Sequence, residues 1–406
     1  MHHMLKLAAA AASLLLVIAM PARAAEVSAD DTARFLAGMQ PSADSPLTPL
    51  TKDAAWQHHA KFFDAAFAQL EQRQLARIHA WADANLAAPR PTMFYMFSGP
   101  DFLYANAFYS KATTYVLAAL EPPGGVPDLT RLPRGSIGAG LANVEHSLSS
   151  ILSFSFFKTK DMKVDLRESE FNGTLPILYV FMARSGATLH KVEPVGVDNG
   201  GTLLTGADAA KAVTHGARIT FSGKDGVEKT LYYFSTDLSN SGVKASGFLK
   251  FCDTLAPGNS LIKSASYLLH SGNFSVVRGW LLANSASIIQ DDSGIPLADY
   301  NARKWHFFPF GRYAGPISEF AGRYQQRYSE LFARAQPIDF GIGYRWRSHE
   351  SNLLLSVKTD SDEPAMAETT SATESATAPR SVRARRPRPP ATVWPQQGNF
   401  GFFFWR

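Results

Sequence analysis

Apolar residues recur at helical spacing from residue 53 to about residue 88. Trp56, Phe62, Phe63, Phe67, Leu70, Leu75, Ile78 and Leu86 alternate with charged positions. That period predicts an amphipathic helix, which Pro89 and Pro91 bring to an end. The texture then changes. Residues 93–97 (Met-Phe-Tyr-Met-Phe) read as a short buried strand, closed by Ser98-Gly99-Pro100-Asp101. Residues 102–109 predict a helix, and residues 113–120 a second strand that stops at the Pro-Pro-Gly-Gly run ending at Gly125. Residues 141–157 are apolar and predict a helix. Residues 175–183 (Leu-Pro-Ile-Leu-Tyr-Val-Phe-Met-Ala) predict a strand, with Pro176 confined to its start or to a sheet edge.

Two hairpins follow. Residues 188–197 turn through Asp198-Asn199-Gly200-Gly201, where Asn-Gly suits a type I′ turn. Residues 217–222 turn through Gly223-Lys224-Asp225-Gly226 into an alternating strand over 229–235. Further on, residues 260–270 and 274–284 predict helices, and 286–290 a strand. Residues 305–310 form a short aromatic strand and residues 315–335 an amphipathic helix. Residues 338–346 and 352–357 predict a final hairpin. Strands interleave with helices early and late, and antiparallel hairpins occupy the middle of the chain. The fold class expected is α/β or α+β, a mixed sheet covered by helices.

The two ends differ from this pattern. Residues 1–24 place Lys6 before an apolar run and end in Pro21-Ala22-Arg23-Ala24, the order of a secretory signal peptide. The run is shorter than the roughly 20 residues needed to span a bilayer. Residues 25–52 are polar and proline-bearing and predict a flexible lead-in to a globular region over 53–358, with a subdomain break placed near 125–140. From residue 359 the chain is rich in Ser, Thr, Ala and Glu, then in Arg and Pro, and ends Phe-Gly-Phe-Phe-Phe-Trp-Arg. That composition predicts a disordered tail, with an anionic surface as the partner its arginines and aromatics would suit.

Composition narrows the options. With 46% apolar and 12% aromatic residues, the central region can bury a large core. The net charge of +5 is partly carried by Lys6 and Arg23 and by the tail, which has six arginines against five acids. The globular region is therefore close to neutral and does not suggest a nucleic-acid partner. The single cysteine, Cys252, cannot form an internal disulfide and lies in an apolar stretch that favours an inert thiol. No segment after the leader has the 18 uninterrupted apolar residues of a transmembrane helix. The expected location is outside the cytoplasm, periplasmic or secreted.

No common catalytic signature is present. The stretch Gly135-Ser-Ile-Gly-Ala-Gly140 has the wrong spacing for a dinucleotide loop and reads as a helix lead-in. Ser-x-x-Lys occurs at Ser155–Lys158, Ser241–Lys244 and Ser260–Lys263; the last would place Ser260 at a helix start with Lys263 one turn on. The ordinary alternative is a helix cap and a surface lysine. The histidines are scattered, with no i, i+4 pair. The strongest constellation is a set of acids that follow apolar strands: Asp101, Asp237, Asp291 and Asp292. In open α/β sheets ligands bind beyond the carboxyl ends of strands, where such carboxylates converge if the strands are parallel neighbours. Asp101, Asp237 and Asp292 would then hold a divalent cation, or the four would act as acid and base. The competing reading is that each is a turn residue or helix cap.

Three functions follow from these residues. The first is an exported ligand-binding or accessory protein of the cell envelope, with an aromatic pocket made by Phe97, Tyr104, Tyr233 and Trp305. The second is a cell-envelope hydrolase built on the strand-end aspartates, with or without a metal. The third is a structural or interaction protein that works through its tail.

Overall fold

Parallel strands buried on both faces form the centre of the molecule. The computed structural model describes residues 27–86, 89–156 and 171–359. The leader over 1–24 and all but the first residue of the predicted tail lie outside these described residues. Ten strands form one mixed sheet in the order β4-β3-β5-β6-β2-β1-β7-β8-β10-β9. The strands are β1 (Thr92–Met96), β2 (Thr114–Ala119), β3 (Thr188–Val197), β4 (Leu203–Thr205), β5 (Thr214–Ser222), β6 (Glu228–Ser235), β7 (Gly258–Ile262), β8 (Ser285–Gln290), β9 (Trp305–Gly311) and β10 (Asn352–Lys358). From β6 to β8 all pairings are parallel. The hairpin strands β3, β4 and β5 add antiparallel at one side, and β10 and β9 at the other. The hairpins that are central in the chain are thus peripheral in the sheet.

Helices cover both faces. On one side lie α1 (Ala29–Leu36), α2 (Ala54–Leu70), α3 (Ala76–Asn85), α4 (Phe102–Phe108), α5 (Arg134–Ser153) and α6 (Leu175–Arg184). Their apolar residues share a core with Met93, Tyr95, Tyr115, Leu117 and Leu231 of the central strands. On the other side are α7 (Asn240–Ser246), α8 (Phe248–Asp253) and α9 (Ser275–Asn284). The period of two along β1 separates the layers: Phe94 points the other way and meets Trp280 of α9 edge-to-face, centroids 4.9 Å apart. A further helix, α10 (Gln326–Phe332), packs Tyr328 and Phe332 against Leu354 of β10. Among the described residues no helix is long and apolar enough to cross a membrane.

Several sequence expectations change. Residues 175–183 form α6, not a strand. Every residue of that run is buried, so its helix has no polar stripe to reveal the 3.6 period. Pro176 sits in the first turn, where a missing N–H costs nothing. The glycine-rich stretch is inside α5, not a lead-in to it: a Cβ on Gly140 would fall 2.5 Å from the Phe171 ring. Residues 260–270 do not form the expected helix beyond a 3₁₀ turn at Leu268–His270; Ser260 belongs to β7 and shares a hydroxyl–hydroxyl bond of 2.7 Å with Ser285 of β8. The predicted helix over 315–335 breaks into a 3₁₀ segment, Ser318–Arg323, and α10, with Phe320 at a non-helical φ of −122°. Residues 338–346 do not pair with β10, because β10 takes β8 and β9 as partners instead.

The region read as a flexible lead-in carries α1, with Phe35 and Leu36 fully buried. Ser28 caps it by accepting the Asp31 N–H at 2.9 Å, and the Asp31 carboxylate accepts the Ser42 N–H and hydroxyl in return. Ser28→Ala should therefore cost about 1 kcal/mol. Chemical denaturation would show it as a lower midpoint at an unchanged slope.

Candidate active site at the strand carboxyl ends

Because β1, β7 and β8 are parallel neighbours, their carboxyl ends open on the same edge of the sheet. Asp101 follows β1, Lys263 follows β7 directly, and Asp291 and Asp292 follow β8 directly. All four side chains are buried. The Lys263 ammonium lies 2.9 Å from Asp101 Oδ2 and 3.8 Å from the centre of the Tyr104 ring, and it donates to the Ser155 carbonyl. Tyr95 OH donates to the same Asp101 oxygen at 2.9 Å, while Asp101 Oδ1 accepts the Tyr104 N–H at 3.1 Å. A desolvated cation over an aromatic face adds about 2 kcal/mol to such a contact.

The two β8 aspartates are held separately. Asp291 accepts the N–H and hydroxyl of Ser293 on one oxygen and the Ser264 N–H, at 3.2 Å, on the other. Asp292 accepts from Tyr267 OH at 2.6 Å and from the Asn352 amide at 3.0 Å. Gly343 packs so close that a Cβ there would sit 1.8 Å from Asp291 Oδ2. Burial and the neighbouring Asp292 charge push the Asp291 carboxyl up to about 7, and burial also raises Asp292. Burial holds the Lys263 ammonium below its ordinary value, with Asp101 opposing that shift. An acid raised towards neutrality beside an amine lowered towards it is the pattern of proton-exchanging centres.

Backbone strain collects at the same edge. Among the described residues the non-glycine positions with left-handed φ are Phe97 (63°), Ser264 (52°), Ser266 (50°) and Tyr267 (53°). The first lies just beyond β1 and the others just beyond β7. Each such residue costs of order 1–3 kcal/mol and persists only where its surroundings enforce it. Here the loop after β7 is pinned by Ala265 N–H to Ser293 Oγ at 2.8 Å, and by Tyr344 OH to the Ser264 carbonyl at 3.0 Å.

Three of the four acids expected at strand ends thus meet in one region. The fourth does not. Asp237 follows β6, two strands from β1, and its exposed carboxylate accepts the N–H and hydroxyl of Ser239, both at 2.8 Å, in the turn before α7. The four aromatics do not build one pocket. Tyr104 lies under Lys263; Phe97 packs on Phe274; Tyr233 OH donates to the Glu121 carbonyl; Trp305 packs on Tyr300. Tyr233 on β6 and Trp305 on β9 are six strand spacings apart, roughly 29 Å at ~4.8 Å each. A cavity of about 300 Å³ exists elsewhere, between Phe35, Trp56, Arg134 and Leu141.

Among the described residues no three of His, Cys, Asp and Glu are placed to hold a metal ion. The divalent-cation reading of Asp101, Asp237 and Asp292 therefore has no ligand set behind it. The cation of the cluster is the Lys263 ammonium.

Sequence reasoning missed Lys263 in this role, along with Tyr95, Ser264, Tyr267 and Asn352. The available signal was slight: Leu261-Ile262 are followed at once by Lys263, as other apolar runs are followed by acids. Comparisons with protein-family models, curated proteins and solved structures match none of them to this chain.

Proposed function

We propose that the protein is an exported hydrolase whose acid–base centre is Lys263 with Asp101, Asp291 and Asp292. One observation supports this reading above the others: a lysine and three aspartates, all buried, sit at the carboxyl ends of adjacent parallel strands, on the edge where backbone strain also collects. In this reading Asp291 takes or gives the proton. Lys263 and Asp101 fix the local charge, and Asp292, Tyr267 and Asn352 hold the exit of β8 in place. The ligand-binding alternative rested on an aromatic pocket whose four members are dispersed. The tail-based alternative concerns residues outside those described.

The test is hydrolysis of chromogenic p-nitrophenyl esters, phosphates and glycosides by the purified protein. Loss of a positioned acid or base typically costs 10²–10⁴-fold. Asp291→Asn should therefore lower turnover of the accepted class by at least about 100-fold, with the chain still folded by circular dichroism. Turnover of no class, or an Asp291→Asn variant at the wild-type rate, contradicts the proposal.

A further inference from the structure

Most polar groups at this edge are paired with one another; among the described residues Ser264 Oγ and Tyr104 OH are buried there without a hydrogen-bond partner. Asp101, Asp291 and Asp292 are each bonded as described above, and Ser266 Oγ lies 3.0 Å from Tyr344 OH. Ser264 Oγ is shielded from solvent and has no hydrogen-bond partner among the described residues. A buried hydroxyl left unpaired costs about 1–3 kcal/mol. Ser264 also carries a left-handed φ of 52°, so two separate costs fall on one residue. Its backbone is nonetheless held firmly. Its N–H is bound by Asp291 Oδ2 and its carbonyl by Tyr344 OH. The residue before it is Lys263, and the strand it leaves is β7, between the parallel strands β1 and β8. A serine on a strained turn just past the carboxyl end of a parallel strand occupies the position from which nucleophiles act in open α/β sheets.

We propose that Ser264 Oγ is the nucleophile of an acyl-transfer reaction on an uncharged carboxylic ester, with Asp291 as its proton acceptor. This deepens the hydrolase reading above and rests on it. Once the Ser264 side chain turns to bring Oγ within reach of Asp291 Oδ2, the oxygen that already accepts the Ser264 N–H, the Oγ–carbon bond forms at the ester carbonyl as the Oγ proton passes to that carboxylate. Collapse of the tetrahedral adduct breaks the bond to the leaving alkoxide, which takes that proton from Asp291 and departs as the alcohol. Water then attacks the acyl-serine by the same route, releasing the carboxylic acid and restoring Ser264. No oxidant or other co-reactant is needed. The charge of the cluster selects the class: three aspartates against one lysine disfavour phosphate esters and other anionic substrates.

A fluorophosphonate probe tests this directly. Ser264 Oγ would bond to phosphorus with loss of fluoride, leaving an adduct that peptide mass spectrometry can locate. The expected result is a single adduct on Ser264 in the native protein and none in heat-denatured protein or in Ser264→Ala. Asp291→Asn should label at least about 100-fold more slowly. Ser264→Ala should melt at the wild-type temperature or above, because it removes only an unpaired hydroxyl. No adduct, an adduct on another serine, or a clearly lower melting temperature for Ser264→Ala overturns the assignment. If Ser264→Ala still hydrolyses a p-nitrophenyl substrate and Asp291→Asn does not, the nucleophile is refuted while the acid–base centre stands.

Discussion

Lys263→Met should destabilise the protein by about 3–5 kcal/mol, one of the two largest effects expected of any change at the site. Both partners of the Lys263–Asp101 pair are almost wholly shielded, at 2% exposure each. Methionine fills the volume of the lysine stem, so packing over Tyr104 is largely retained. What it removes is the charge that neutralises Asp101. The aspartate would keep its bonds from Tyr95 OH and the Tyr104 N–H, which do not offset a buried lone carboxylate. The pair itself contributes far less than its rupture costs, because both ions gave up hydration to form it. The double variant Lys263→Met/Asp101→Asn should therefore regain most of the loss. In it the Tyr95 hydroxyl can turn from donor to acceptor and meet the new amide. Urea denaturation of the single and double variants checks both statements. A single variant within 1 kcal/mol of wild type would show that the lysine is not neutralising a buried charge.

The second large effect is a dependence of stability on pH. The Asp291 carboxyl is raised to about 7 in the folded chain, whereas an unfolded aspartate titrates near 3.9. Between about pH 4 and pH 7 the folded state binds more protons than the unfolded state. Stability from this group is therefore greatest at the acid end, falls as pH rises through that window, and levels off above it. Each unit is worth about 1.4 kcal/mol, so the window amounts to roughly 4 kcal/mol. Carboxylates held low by hydrogen bonds, such as Asp31 and Glu193, act with the opposite sign at lower pH. Comparison of wild type with Asp291→Asn across pH 4–8 isolates the Asp291 contribution. The difference in unfolding free energy should shift against wild type as pH rises, and a flat difference would refute the assignment. Lys263, lowered by burial, adds stability as pH rises further towards the ordinary lysine range.

Much of this architecture is legible in the chain. The strands β1, β2, β3, β5, β6, β8 and β9 each carry a short apolar or alternating run with a turn signal after it. Asp101, Asp291 and Asp292, read as acids that follow apolar strands, do lie beyond the carboxyl ends of the parallel strands β1 and β8, with β7 between them. The same reading fails for Asp237 because strand order is not written in local sequence: β6 is parallel to β2 but two places from β1. The α6 run looks like a strand in sequence because a helix buried on every side has no period to detect. Lys263 is hidden in sequence because Ser-x-x-Lys suggests one helical turn, whereas Ser260 lies in an extended strand that ends just before the lysine. Ser264 is silent in sequence altogether. Its strain and its unpaired hydroxyl exist only once β7 and β8 are joined side by side.

In the proposed centre Asp101, Lys263, Asp291 and Asp292 are electrically coupled and exchange a proton near neutral pH. Carbon-13 NMR titration of the aspartate carboxyls in uniformly Asp-labelled protein tests it most directly. The expected result is one carboxyl titrating near pH 7 that is missing from Asp291→Asn and moves upward in Lys263→Met, where a nearby positive charge has been removed. A wild-type protein in which every aspartate titrates below about pH 5, unchanged by loss of Lys263, would contradict the account.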